Sequence, residues 1–363
     1  MRDASTPEAD RVRDFVASYQ EREYRRLAGE MGLGNDPRAA FEKLTGARDA
    51  CPGDFEHPAL HRAMLVTFDL MQRELDALDM ARLPSPWLAT LASGDVNARI
   101  VEEARTGTKV MFFEHGLFRY FHDIAKLAAW AAPPLSDAQL FDDEALGHLP
   151  PKTTMPFQSS GYFAGTLLAY AASGTPMATA SPIPEPAHNQ KLAIVLLNHM
   201  ERFVMAHEIA HLVRGHLDEA PAPRQEFEAD ASSLMLVTTL SEQRHGSWAI
   251  GYWASELALI AMNFLYLAVG LVEFGPARLA WASKTHPDPM ARRESLRGIW
   301  LEPRMPAAGV LAARGVSGMT EALFGRLWEF ASGVLILEHQ RGARAAASWK
   351  NIASYIRPTE TSP

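Results

Sequence analysis

The chain has 363 residues, 47% of them hydrophobic and 21% charged, with 35 basic against 43 acidic side chains and a formal net charge of −8. That composition excludes a disordered chain, a collagen-like repeat and a coiled-coil rod. The acidic balance, with no long basic run, argues against nucleic acid or an anionic membrane surface as partner. The single cysteine, Cys51, allows neither an internal disulfide nor a thiolate cluster, so any metal site must be built from His, Asp and Glu.

Charges interrupt the N-terminal segment, which leaves no apolar signal stretch, and a cytoplasmic location is expected. Thr6-Pro7 and Asp36-Pro37 each place a capping side chain before a proline suited to the first helical position. The first helix is expected to run to about Glu30 and to stop at Gly32 and Gly34. His57-Pro58 opens another helix, with Leu60, Met64, Leu65, Phe68, Met71 and Leu75 at helical spacing, ending before Pro84. Residues 99–103 and 109–114 flank Thr106-Gly107 and fit a hairpin, a helix being the alternative for the first of them. Residues 132–156, rich in proline and acid, read as a boundary or exposed loop, and 177–183 as an extended edge segment.

From 191 to 213 the chain is a continuous helical run. Residues 257–272, in which only Asn263 is strongly polar, span about 24 Å as a helix, short of the roughly 30 Å hydrocarbon core, and read as a buried core helix. A last long helix is expected from Thr320, with Leu323, Leu327, Phe330, Val334 and Leu337 on one face.

Chemistry concentrates in His207-Glu208-Ile209-Ala210-His211. Histidines four apart on a helix are separated by about 40° around it and one turn along it, so both imidazoles can reach one metal ion. Glu208 lies about 100° from His207 and about 60° from His211, bordering the ion without sharing their direction, as suits a base acting on a metal-bound water. At this composition the pattern arises by chance about 0.03 times in a chain of this length, so a third ligand decides the matter. The histidine that would extend the motif six residues on is replaced by Leu217. Further along comes Gln225-Glu226-Phe227-Glu228-Ala229-Asp230, beyond Pro221 and Pro223, which break the first helix and let a second return against it. Glu226 can complete a His₂Glu set with a fourth position left for water. Asp230, one turn on, can accept the free ring N–H of a ligand histidine. Glu228 competes as third ligand. His216 reads as a cation or cap at the helix end, with ligation as the alternative.

The motif followed by Glu226-Phe-Glu-Ala-Asp230 resembles the gluzincin metallopeptidases, especially the CAAX prenyl-protease and HtpX-like family; the soluble phage-exclusion Lit-type peptidases are an equally close comparison. The former family also carries a Thr-His-Pro-Pro element with an arginine six residues after the histidine. Thr285-His286-Pro287-Asp288-Pro289 with Arg292 has that form, an aspartate standing for the second proline. The resemblance covers about residues 187–296 and departs from the first family in that its membrane-spanning helices are missing or reduced to the one apolar segment 257–272.

The resemblance implies a zincin-like core of HExxH helix, glutamate helix and small β edge, and the helical punctuation along the chain gives a mostly α fold with a helical N-terminal region. Residues 1–150 form that region, without an assigned role, 151–300 the catalytic domain, and 301–363 a C-terminal helix packed on it. One Zn²⁺ per chain is expected on His207, His211 and Glu226. Glu208 acts as general base, and a protein or peptide substrate lies extended along an edge strand near the helix. The resemblance further implies that the His286 element folds back over the zinc, so that His286 stabilises an oxyanion or transiently takes the open position. Arg292 would pair with Asp230 or Glu226. The alternative function is a zincin-fold module, catalytically weak or inactive, kept for binding or regulation; retention of Glu208 argues against it.

Overall fold

The structure, a computed structural model, describes residues 6–45, 55–91, 96–149, 157–174, 183–184, 188–276, 279–299, 306–346, 349 and 356–358. It is mostly helical with a small three-stranded sheet. Helix α1 (Pro7–Glu30) starts where Thr6 Oγ1 accepts from the Ala9 amide at 3.2 Å, and α2 (Pro37–Thr45) where Asp36 Oδ1 accepts from Arg38 and Ala39. In α3 (Pro58–Ala77) the imidazole of His57 takes that role towards Leu60. Its buried face is Leu60, Met64, Phe68, Met71 and Leu75; Leu65, expected on that face, is 45% exposed because it sits 100° round from Met64.

The expected hairpin forms as β2 (Ala98–Glu103) and β3 (Thr108–Glu114), antiparallel with Val101 opposite Val110. A strand the sequence did not announce, β1 (Trp87–Leu91), pairs parallel to β3 and makes it the central strand. Side chains of β3 alternate as a pleat requires. Val110 and Phe112 meet Val12 and Val16 of α1, whereas Met111 and Phe113 enter the main core.

On that inner face lies α4 (His115–Ala131), packed on α8 (Gln190–Val213). Residues 132–149, read as a loop or boundary, instead contain α5 (Asp137–Leu140) and α6 (Asp143–Gly147), capped by Ser136 and Asp142, with Leu140, Leu146 and Leu149 in the main core. The segment 177–183, expected as an edge strand, lies outside the described residues except for Ile183, as does Cys51. Helix α7 (Phe157–Leu168) runs into a π-helical turn, Ala169–Ser173.

Helices α8, α9 (Pro223–His245) and α10 (Trp248–Phe274) pack on one another, and α10 is covered on its other sides by α11 (Pro289–Gly298) and α12 (Ala307–Gln340). Among the described residues α10 is the one helix long and apolar enough to cross a membrane; here most of its apolar residues are buried by protein. Helix α12 starts at Ala307, well before the expected Thr320. Its first turns are rich in small residues because they press on α6: a Cβ on Gly315 would stand 2.9 Å from the carbonyl oxygens of Leu146 and Gly147. Its buried stripe is Leu323, Phe324, Leu327, Ala331 and Leu335. Phe330 and Leu337, expected inside, face outward at 38% and 44% exposure. A two-stranded ladder, β4 (Leu279–Trp281) with β5 (Ile356–Pro358), closes the described chain. The largest core cluster draws residues from all three stretches marked out in the sequence, from Met64 to Trp349.

Candidate metal centre

Two neighbouring helices and one turn build the site. Helix α8 buries most of its circumference, and His207 and His211 project from its last turns towards α9. Gly215, at φ 72°, then turns the chain back into a short 3-10 turn, His216–Asp218. Contrary to expectation, Pro221 and Pro223 do not break α8, which has already ended at Val213 ahead of the Gly215 reversal; α9 opens with Pro223 at its first position and Gln225 Oε1 accepting from the Ala222 amide at 3.0 Å. Glu226 therefore falls in the first turn of α9, facing the histidines, with Asp230 behind it at zero exposure.

His207 Nε2 stands 3.1 Å from His211 Nε2 and 3.4 Å from Glu226 Oε2, and His211 Nε2 stands 3.9 Å from Glu226 Oε1. Ligands about 2.0–2.1 Å from a tetrahedral ion stand about 3.3 Å apart, so this donor set fits a divalent ion of that geometry with little movement. The group can hold a metal ion. Its other ring nitrogens are anchored too: His207 Nδ1 meets Asp230 Oδ1 at 2.9 Å, and His211 Nδ1 meets His216 Nδ1 at 3.0 Å. Glu228, the competing ligand, turns instead to His216 Nε2 at 3.1 Å. His216 is thus neither a helix-end cap nor a member of the donor group, because the reversal at Gly215 carries its ring beneath His211.

The turn before α11 lies over the same place. Ser283 Oγ accepts from the amides of Thr285 and His286, and Trp281 Nε1 donates to the His286 carbonyl at 2.6 Å. His286, 47% exposed in its side chain, puts Nδ1 3.2 Å from Glu226 Oε1. Asp288, the aspartate in place of a proline, caps α11 by accepting from Met290 at 2.8 Å. Arg292 then donates to both oxygens of Asp230 at 2.7 Å and comes within 3.3 Å of Glu226 Oε2. Trp281 and Ser283 were not singled out in the sequence. The Ser-x-x-His spacing of an ST turn carries a signal for Ser283, whereas nothing marks Trp281.

Electrostatics set the site for a cation. Burial works against the Glu226 carboxylate, yet His207, His286 and Arg292 hold it well below the usual range, and Arg292 with His207 does the same for buried Asp230. Burial also opposes the His207 imidazolium, but Asp230 and Glu226 outweigh it and raise its pKa to about 9. His211, buried beside His207, is lowered to about 4. Glu208 is half-buried and its carboxylate takes no hydrogen bond among the described residues. Burial pushes it up to about 7 against the pull of His207. In the metal-free chain the Arg292 guanidinium and the His207 imidazolium balance the Glu226 and Asp230 carboxylates; a divalent ion bound there would displace the His207 proton and supply that charge in its place.

No family model, curated protein or solved structure matches the chain.

Proposed function

We propose that the protein is a zinc-dependent metallopeptidase with a zincin-like core formed by α8 and α9, acting on protein or peptide substrates. The observation that carries this reading is the convergence of His207 Nε2, His211 Nε2 and a Glu226 oxygen at near-tetrahedral spacing, with Glu208 alongside. Two imidazoles and one carboxylate are a donor set suited to zinc. A zinc ion held there would supply a Lewis acid that polarises the scissile carbonyl and makes water acidic enough to attack near neutral pH.

The chain's own groups do the rest. Glu208 takes the proton of the attacking water on its carboxylate and passes it to the leaving amine. Asp230 fixes the His207 ring through Nδ1, and Arg292 fixes Asp230 by a bidentate pair while tying α11 to α9. His286, held by Glu226 at Nδ1 and by Trp281 at its carbonyl, offers a donor to the oxyanion that develops on the substrate. Strand β2 packs against α8 and pairs with β3 alone among the described residues, so its other edge offers backbone groups to an extended substrate.

Elemental analysis tests the reading. Purified protein carries about one zinc per chain, and His207→Ala, His211→Ala and Glu226→Ala each lose it. Full zinc occupancy in Glu226→Ala, or none in the parent chain, would overturn it.

A further inference from the structure

His216 and Glu228 lie outside the donor set yet touch it. We propose that they are positioning residues for His211, an imidazole–carboxylate relay that orients the His211 ring and raises its strength as a ligand. The proposal rests on the metal-site reading above.

The order of protons follows from which atom does what. With Nε2 of His211 directed to the donor set, its ring proton sits on Nδ1. The partner at 3.0 Å is His216 Nδ1, which must then accept, since two N–H groups cannot meet head to head. That places the His216 proton on Nε2, where Glu228 Oε2 accepts it at 3.1 Å. Each atom in the chain has a single role, and the relay ends on a carboxylate. Both ligand histidines are therefore backed by a negative charge, His207 directly by Asp230 and His211 through a second imidazole.

Placement explains why neither residue is itself a ligand. His216 meets the Nδ1 side of His211, the side away from Glu226 and His207, and its side chain is only 4% exposed. Glu228 follows Glu226 by two residues, so it points about 160° away around α9, and its other oxygen lies 3.6 Å from Arg224 Nε. The left-handed φ of Gly215 makes the reversal that brings the His216 ring under α8. The relay links the buried donor set to a carboxylate that is 32% exposed.

Zinc affinity of the full chain, measured by competition with a chromophoric chelator, tests the relay. Cobalt(II) absorption serves as a second readout and thermal unfolding of the metal-free chain as a control. His216→Phe weakens zinc binding by about 10–100-fold and alters the cobalt spectrum, with the metal-free melting temperature near that of the parent. His216→Asn keeps an acceptor near the Nδ1 position and recovers much of that loss. Glu228→Gln keeps an acceptor without the charge and weakens binding by about threefold to tenfold. Binding within twofold of the parent in His216→Phe, or equal losses in the Phe and Asn variants, overturns the relay while leaving the metal site standing. Should His216→Phe fail to fold, Glu228→Gln decides alone, and a change under twofold overturns the proposal. A parent chain that takes up no zinc overturns the metal-site reading and the relay with it.

Discussion

His199 lies eight residues before His207 on α8 and is 2% exposed. Its Nδ1 pairs with the Val195 carbonyl at 2.9 Å, while Nε2 is buried with no hydrogen-bond partner. Burial, with Arg202, His245 and Arg244 nearby, lowers its pKa to about 3. The unfolded chain has an ordinary histidine near 6.5. Because the folded value lies below the unfolded one, the unfolded state binds more protons between them. Stability is full above about pH 6.5 and is lost as pH falls towards the folded value. At pH 5 the unfolded imidazole is about 97% protonated and the folded one almost none, a loss of about 2 kcal/mol relative to pH 8. His199→Leu removes the titration and nearly conserves volume, and the Val195 carbonyl keeps its helical bond. Urea unfolding of parent and variant at pH 8 and pH 5 isolates the effect, because acid-sensitive groups elsewhere cancel between the two proteins. The parent should lose about 2 kcal/mol more than the variant over that interval. Equal losses would refute the account of a neutral, desolvated His199.

Glu256, at zero exposure, accepts from Arg293 at 2.6 Å, Ser317 at 2.7 Å and Arg297 at 3.1 Å, so it ties α10 to α11 and α12. Glu256→Gln leaves buried Arg293 without its charge partner and should cost about 3–5 kcal/mol by denaturant titration; less than about 1 kcal/mol would show that Glu321 already neutralises that arginine. Arg292→Ala strips both guanidinium bonds from buried Asp230 and leaves it only His207, and a loss of about 3–5 kcal/mol together with weaker zinc binding is expected. Unchanged stability and metal affinity would disconnect α11 from the site. His286→Ala should keep its zinc while kcat falls by roughly 10²–10³ with KM little changed, and near-normal turnover would return His286 to a purely structural turn.

What the sequence made legible was whatever rests on local chemistry. Thr6-Pro7 and Asp36-Pro37 mark helix starts because a side-chain oxygen and a fixed φ act within three residues. The glutamate helix was legible from Pro221 and Pro223 for the same reason. Elements defined by their surroundings were hidden. Strand β1 is five residues long and follows Pro84 and Pro86, and only its pairing with β3 makes it a strand. The early start of α12 was masked by Gly309, Gly315 and Gly318, residues that disfavour a lone helix; Gly315 is explained by contact with α6. Spacing alone left Glu226 and Glu228 as rivals. Their separation needed the turn at Gly215, which carries His216 to Glu228 and leaves Glu226 to the histidines.

Peptide-bond hydrolysis with Glu208 as base is read out by the appearance of new amino termini in a mixed protein extract treated with zinc-loaded parent chain or zinc-loaded Glu208→Gln. That substitution keeps the shape of residue 208 and removes its proton acceptor, so zinc content and melting temperature should match the parent. Discrete cleavages by the parent are expected, with rates lower by at least about 10²–10⁴ in the variant. No cleavage above background by the parent, or equal cleavage by both proteins at equal zinc content, would contradict that chemistry.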